Sequence, residues 1–336
     1  MPCSRLLPSS PRAPRLRILL RALLGAALIG ALAPATAAEP RPIKVLVGFP
    51  AGGGTDAIAR TLAEKLRVEL GRPVIVENRP GARGQIAAQA LKAADPDGTT
   101  YFISHDHTIS IVPLVMRNPG FDPARDFVPV AGFATFVNAL AVSSTVPGKG
   151  YNDWLAWVRA QQGARSSVGV PAPASVPEFL VRLVGEKFAL DLAPVPYRGS
   201  APMLGDLYGG QIPAAIASVP ELVEPSRAGK LRVIAVLGGQ RQAALTDVPT
   251  FAELGLAGFE DVPYYGFFAP AGTPPAEAER FAAALSRVIA QPEVRDKLTG
   301  WGLAVQFMPG PQLAQRERAY SAAWTQLIRR IGYQPQ

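Results

Sequence analysis

The stretch Val45-Leu46-Val47-Gly48-Phe49-Pro50-Ala51-Gly52-Gly53-Gly54-Thr55-Asp56 limits the fold more than any other part of the chain. It runs from a buried-strand pattern through a glycine loop into a helix, the order of a strand-turn-helix unit in an α/β sheet. Glycines let successive backbone N–H groups converge on one ligand. The helix expected over residues 55–70 aims its unbonded first N–H groups at the same point. A carboxylate or phosphate is favoured there. Thr55 or Asp56 is expected to cap the helix, and Asp56 also stands where it would hold a water or a ligand donor beside the anion.

Two better-known glycine loops compete for this stretch. A P-loop needs a Lys-Ser/Thr pair after its last glycine, and here Thr55-Asp56 follows Gly54. Gly52-Gly53-Gly54-Thr55-Asp56-Ala57 does satisfy the Gly-x-Gly-x-x-Gly/Ala form of a dinucleotide site, with Glu77 ending the next strand as the ribose-binding acid. An NAD-dependent oxidoreductase is therefore a rival reading, to be judged by compartment.

The N-terminus speaks to compartment. Arg5, Arg12, Arg15, Arg17 and Arg21 precede an apolar run over residues 23–32, and Ala35-Thr36-Ala37-Ala38 supplies small residues at a cleavage site. This is the pattern of a signal peptide over residues 1–38, cut after Ala37 or Ala38, and the run is shorter than the ~20 residues of a membrane span. The expected location is the periplasm. Removing those five arginines lowers the formal net charge from +8 to +3. The remaining chain gives no electrostatic reason to propose nucleic acid. Cys3, the only cysteine, is lost as well, so no disulfide, thiolate nucleophile or cysteine metal site is expected.

Along the chain, Ile58, Leu62, Leu66 and Leu70 form an apolar stripe ended by Gly71 and Pro73. Strand 74–77, helix 85–92 and strand 100–103 follow, an alternation that predicts a parallel sheet with ligands at the carboxyl ends of its strands. The loop Ser104-His105-Asp106-His107-Thr108 should then lie beside the glycine loop. Residues 128–146 read as strand and 154–161 as helix. A second series begins at Val168-Gly169-Val170, with helices over 174–188, 201–207 and 219–227 and strands over 195–197, 214–217 and 231–237. Its loops Ala172-Pro173-Ala174-Ser175, Tyr197-Arg198-Gly199-Ser200 and Ser218-Val219-Pro220 open at one end of a second sheet, again offering helix starts to an anion. A strand over 264–269 and three closing helices complete the chain, with Trp324 expected in the core.

Several of these stretches together resemble the Bug family of extracytoplasmic solute receptors, the binding components of tripartite tricarboxylate transport systems. The resemblance rests on Val47-Gly48-Phe49-Pro50-Ala51-Gly52-Gly53 with Thr55-Asp56, on Val76-Glu77-Asn78-Arg79-Pro80-Gly81-Ala82, and on Ala94-Asp95-Pro96-Asp97-Gly98. It continues through Val195-Pro196-Tyr197-Arg198-Gly199-Ser200-Ala201-Pro202, Asp247-Val248-Pro249-Thr250 and Gly266-Phe267-Phe268-Ala269-Pro270-Ala271-Gly272-Thr273-Pro274. It implies a type II periplasmic-binding-protein fold, two α/β lobes joined by two crossing strands with a ligand cleft between them. By that analogy lobe one holds residues 39–138 and 264–336, and lobe two holds 139–263. The resemblance further implies a small carboxylate held by Pro50 to Asp56 in lobe one and by Ser175 with Tyr197 to Ser200 in lobe two.

The chain departs from the family pattern where ligand choice is made. Ala172-Pro173-Ala174-Ser175 and Glu178 stand where many members have a Gly-x-Gly-Ser segment and then a His. Ser104-His105-Asp106-His107 replaces a Thr/Ser/Gly-rich segment. The expected ligand-binding set is thus Phe49, Pro50, Ala51, Gly52, Gly53, Gly54, Thr55 and Asp56, with Ser104, His105, Asp106 and His107, and, from the second lobe, Ala174, Ser175, Tyr197, Arg198, Gly199, Ser200 and Ser218. Ser104, His105 and Asp106 have the residue types of a hydrolase triad, but direct neighbours on an extended chain point to opposite sides. His105 and His107 lack a third metal ligand. A monomeric, cofactor-free, non-enzymatic receptor for a small organic anion is expected, docking on a membrane permease or, alternatively, on a membrane sensor.

Overall fold

The structure, a computed structural model, describes Met1, Ser4 and residues 41–161, 166–257 and 262–336. Apart from Met1 and Ser4, the expected signal peptide lies outside the described residues. Eleven strands form two sheets among them. The first sheet contains β1 (Ile43–Val47), β2 (Val74–Asn78), β3 (Thr100–His105), β4 (Phe127–Thr135), β10 (Tyr264–Pro270) and β11 (Ala304–Pro309), in the order β11-β4-β10-β3-β1-β2. The second contains β5 (Asn138–Ser143), β6 (Ser166–Val170), β7 (Leu192–Pro196), β8 (Ala214–Ser218) and β9 (Leu231–Val236), in the order β7-β6-β8-β5-β9.

Each sheet is mixed, where the strand-helix alternation predicted parallel strands. β1 pairs in parallel with β2 and β3, and β6 with β7 and β8. The exceptions are β10, antiparallel to β3 and β4, β11, antiparallel to β4, and β5, antiparallel to β8 and β9. Those at β10 and β5 follow from the way the chain changes sheets. The strand-like run over 128–146 is in fact two strands in different sheets, β4 and β5, separated by Phe136 and Val137. The return path carries the chain from β9 to β10. The two passages are tied, since Phe136 N–H donates to Pro263 O at 3.1 Å and Leu237 N–H to Asn138 O at 2.8 Å.

Local chemistry places the elements around the cleft. The helix Gly54–Leu70 buries Ile58, Leu62 and Leu66 against β1 and the helix Pro275–Ala290, each such side chain contributing roughly 1.5–3 kcal/mol. It stops at Gly71, whose φ of 62° lets its N–H return to Val68 O. The opposite face of the first sheet is covered by the helix Gln85–Lys92 and by the last helix, Gly310–Arg330. That last helix and the segment after it also reach the second sheet's helices, with Trp324 6.1 Å and Tyr333, three residues past the helix end, 5.3 Å from the Phe179 ring. Trp324 is core, as expected. Residues 41–336 form one compact unit.

Candidate functional site

In the glycine loop, the N-cap of the helix Gly54–Leu70 is Gly53 rather than Thr55 or Asp56. The reason is the use made of Asp56. Its carboxylate turns back beneath the loop, accepting Gly52 N–H at 2.9 Å, Arg60 Nε at 3.0 Å and Asn78 Nδ2 at 2.9 Å. Burial disfavours its charge, but the bonds from Arg60, Gly52 and Asn78 outweigh that and hold its pKa below the usual carboxylate value. The Asp56 side chain is therefore a brace of the loop. Gly52 N–H, expected to face the anion, is engaged by Asp56, and Gly53 N–H makes a 3.3 Å turn to Pro50 O. The N–H groups of Gly54, Thr55 and Asp56 have no hydrogen-bond partner among the described residues, so the free donors of the loop lie slightly further along the chain than expected.

The loop after β3 turns through a π-helical segment, His107–Ile111. The His105 ring stacks on Phe49 at 4.9 Å and meets Tyr265 edge-on at 5.3 Å. Its Nδ1 lies 3.3 Å from both Asp106 Oδ1 and His107 N–H, two contacts that require opposite tautomers. Asp106 accepts Tyr320 Oη at 2.8 Å from the last helix. His107 is 6 % exposed, and neither ring nitrogen has a hydrogen-bond partner. Burial pushes its pKa down to about 3, so the ring is neutral at physiological pH.

The second sheet contributes three helix starts. Ser175 caps the helix Val176–Phe188, accepting Glu178 N–H and donating to Ala172 O at 2.6 Å. Gly199 precedes the helix Ser200–Tyr208 with φ 103°, and Ser218 precedes the helix Val219–Arg227. Val176, Ser200 and Ala201 present backbone N–H groups without partners among the described residues.

These elements enclose a cavity of about 130 Å³ between the two sheets. Of the residues expected there, Phe49, Pro50, Gly53, Gly54, Thr55, His105, Asp106, His107, Ser175, Arg198, Gly199, Ser200 and Ser218 line it. The remaining six do not line it. Ala51 is exposed, and Gly52 and Asp56 are engaged with each other. Ser104 is wholly buried in β3. Ala174, at φ 49°, gives its N–H to Glu178 Oε2 at 2.7 Å. Tyr197 gives its hydroxyl to Asp206 at 2.7 Å. Lining residues that the sequence did not single out include Phe136, Asn138, Pro171, Glu221 and Tyr265. The two sides come close: a Cβ built on Gly199 would sit 3.8 Å from the Pro50 ring, and one on Gly54 3.5 Å from Glu221 Cγ. Glu77, which the dinucleotide reading requires, instead pairs with Arg79 away from the cavity. Among the described residues no group of three His, Cys, Asp or Glu side chains is placed to hold a metal.

A cleft between two sheets, walled by helix starts, has room for a small ligand. The model of the TctC family, described as tripartite tricarboxylate transporter family receptor, matches residues 58–333. The chain belongs to that family. Within the TctC family it is 33 % identical over 262 residues to Protein BugT of Bordetella pertussis, covering 78 % of this chain and 80 % of that one. Two solved structures are similar. MatC of Rhodopseudomonas palustris with bound malate is 29 % identical with a TM-score of 0.78, covering 86 % of this chain and 99 % of that one. The R. palustris protein Rpa4515 with adipate is 31 % identical with a TM-score of 0.82, covering 88 % and 99 %. The fold is thus the two-lobe α/β periplasmic-binding-protein fold, and the TctC family is one of solute-binding receptors.

Proposed function

We propose that this chain is a periplasmic receptor that captures one small organic carboxylate in the cleft, delivers it to a membrane transporter and catalyses no reaction. The observation that carries this reading is the convergence of helix starts from both lobes, with unbonded N–H groups at Gly54 to Asp56 on one side and at Val176, Ser200 and Ala201 on the other. Helix N-termini attract an anion without a lysine. The malate and adipate of the two similar structures support a carboxylate. The signal-peptide pattern supports the periplasm. Among the described residues no helix is long and apolar enough to cross a membrane. Sheet membership favours a hinge at Phe136-Val137 and at the return before β10, so that lobe one comprises residues up to 136 and from 264, with lobe two between them.

A micromolar receptor must supply about −8 kcal/mol, and a few preorganised charge-assisted hydrogen bonds at ~1.5–3 kcal/mol each suffice. The test is a thermal-shift screen of mono- and dicarboxylates and of nicotinamide dinucleotides on the exported form, followed by calorimetry. One carboxylate should bind one-to-one and be recovered unchanged. Failure of every carboxylate, or turnover of one, overturns the reading.

A further inference from the structure

Two Ser-x-x-Glu sequences open helices on the second lobe's side of the cleft, and the structure uses them in opposite ways. At Ser175 and Glu178 the pair closes on itself. Ser175 Oγ accepts Glu178 N–H, Glu178 Oε2 accepts Ala174 N–H at 2.7 Å, and Arg182 neutralises Oε1 at 2.8 Å. At Ser218 and Glu221 no such cap forms. Ser218 N–H lies in β8, and its hydroxyl donates to Glu221 Oε2 at 2.7 Å, the only hydrogen bond to that carboxyl among the described residues. Oε1 is left facing the cleft. A Cβ built on Gly54 would stand 3.6 Å from it, so this oxygen borders the helix start that offers the free N–H groups of lobe one.

A carboxyl at the edge of an anion cradle opposes a second anion and favours a cation. The other charged groups of the lining sharpen the point. Arg198 sits on an exposed loop, and Asp106 is already bonded by Tyr320 and approached by His105. The lining thus carries two carboxyls and one guanidinium, and Glu221 is the carboxyl with an acceptor to spare. Independently, His107 is nine-tenths buried in the same wall with both ring nitrogens unpartnered. A buried imidazole in that state points to a polar ligand atom within its reach. Accepting the receptor reading above, we infer that Glu221 receives a protonated amine of the ligand, and that the cleft selects an amino-carboxylate, its carboxylate on the Gly54 helix start and its amine against Glu221.

The test uses matched triplets of carboxylates with three- to six-carbon chains, identical except that one carbon carries hydrogen, hydroxyl or amine. Each is titrated by calorimetry into the exported chain and into Glu221→Gln, whose folding is checked by thermal melting. In at least one triplet the amine should bind ten-fold or more tighter than both partners. Glu221→Gln should cut that preference below three-fold without weakening the unsubstituted acid. Lack of an amine preference in every triplet overturns the assignment, as does an amine preference that survives Glu221→Gln. Binding of no carboxylate at all overturns the receptor reading itself, an outcome separate from either of these.

Discussion

Gly52 and Gly53 are neighbours in one loop with opposite requirements. Gly52 sits at φ 81°, where an L side chain is strained, whereas Gly53 at φ −78° is in an ordinary extended conformation. Gly52→Val should cost about 1–2 kcal/mol from backbone strain alone, read from urea unfolding, and should weaken ligand binding by displacing the loop. Gly53→Ala should cost less, since its Cβ meets only Pro50 O at 3.3 Å. Equal costs at the two positions would refute the assigned conformations. Asp56 gives a pH test of the same loop. Its folded pKa is depressed, so its contribution to stability is present above about pH 4, the ordinary carboxylate value, and is lost as pH falls through the folded value. Asp56→Asn should lower stability at pH 7 and flatten its loss below pH 4. If the two profiles stay parallel throughout, the brace contributes nothing. The types and order of the loop residues made the strand, the glycine turn and the helix start legible in sequence. The direction of Asp56 was not, because its partners Arg60 and Asn78 take it from the ligand side only once β2 lies beside β1.

The last helix shows the same division at the scale of an element. Of the apolar positions Leu313, Tyr320, Trp324, Leu327 and Ile331 that the sequence offers, the first three are buried, whereas Leu327 and Ile331 are half-buried and Ile328 is buried in their place. What the helix rests on was not legible. Gly132 and Gly266 lie opposite each other on β4 and β10, and a Cβ on Gly266 would come within 2.7 Å of Leu313 Cδ2. Their lack of side chains lets the helix settle onto the sheet, a pairing no local pattern announces. One turn beyond Leu313, burial raises the pKa of Glu317 to about 7. An acid with a raised folded pKa binds more protons folded than unfolded, so stability should fall as pH rises from about 4.5 to 7. Glu317→Gln should raise the melting temperature at pH 8 and change it little at pH 4. A larger gain at the lower pH would contradict this burial. Similarly, Phe136, Asn138 and Tyr265 escaped notice because the crossing between sheets brings them to the cleft, whereas Glu221 comes with the helix start that follows Ser218.

For the whole molecule, a ligand bound by both lobes favours whichever arrangement lets both touch it. The rims here are already near contact at Pro50 and Gly199, so ligand should shift the population toward this conformation. Small-angle scattering should show a smaller radius of gyration at saturation. No change alongside normal affinity would exclude a clamp. Phe179 packs against Trp324 and Tyr333, and none of the three lines the cleft. The position of β10 also has a temporal side. It lies between β3 and β4 in the first sheet, yet is made some 130 residues after β4. A chain threaded N-terminus first through a translocation pore can complete its second sheet, a continuous segment, while the first still lacks its middle. Only when residues from Tyr264 onward emerge can the flanking strands be joined, so the lobe begun first is the lobe finished last.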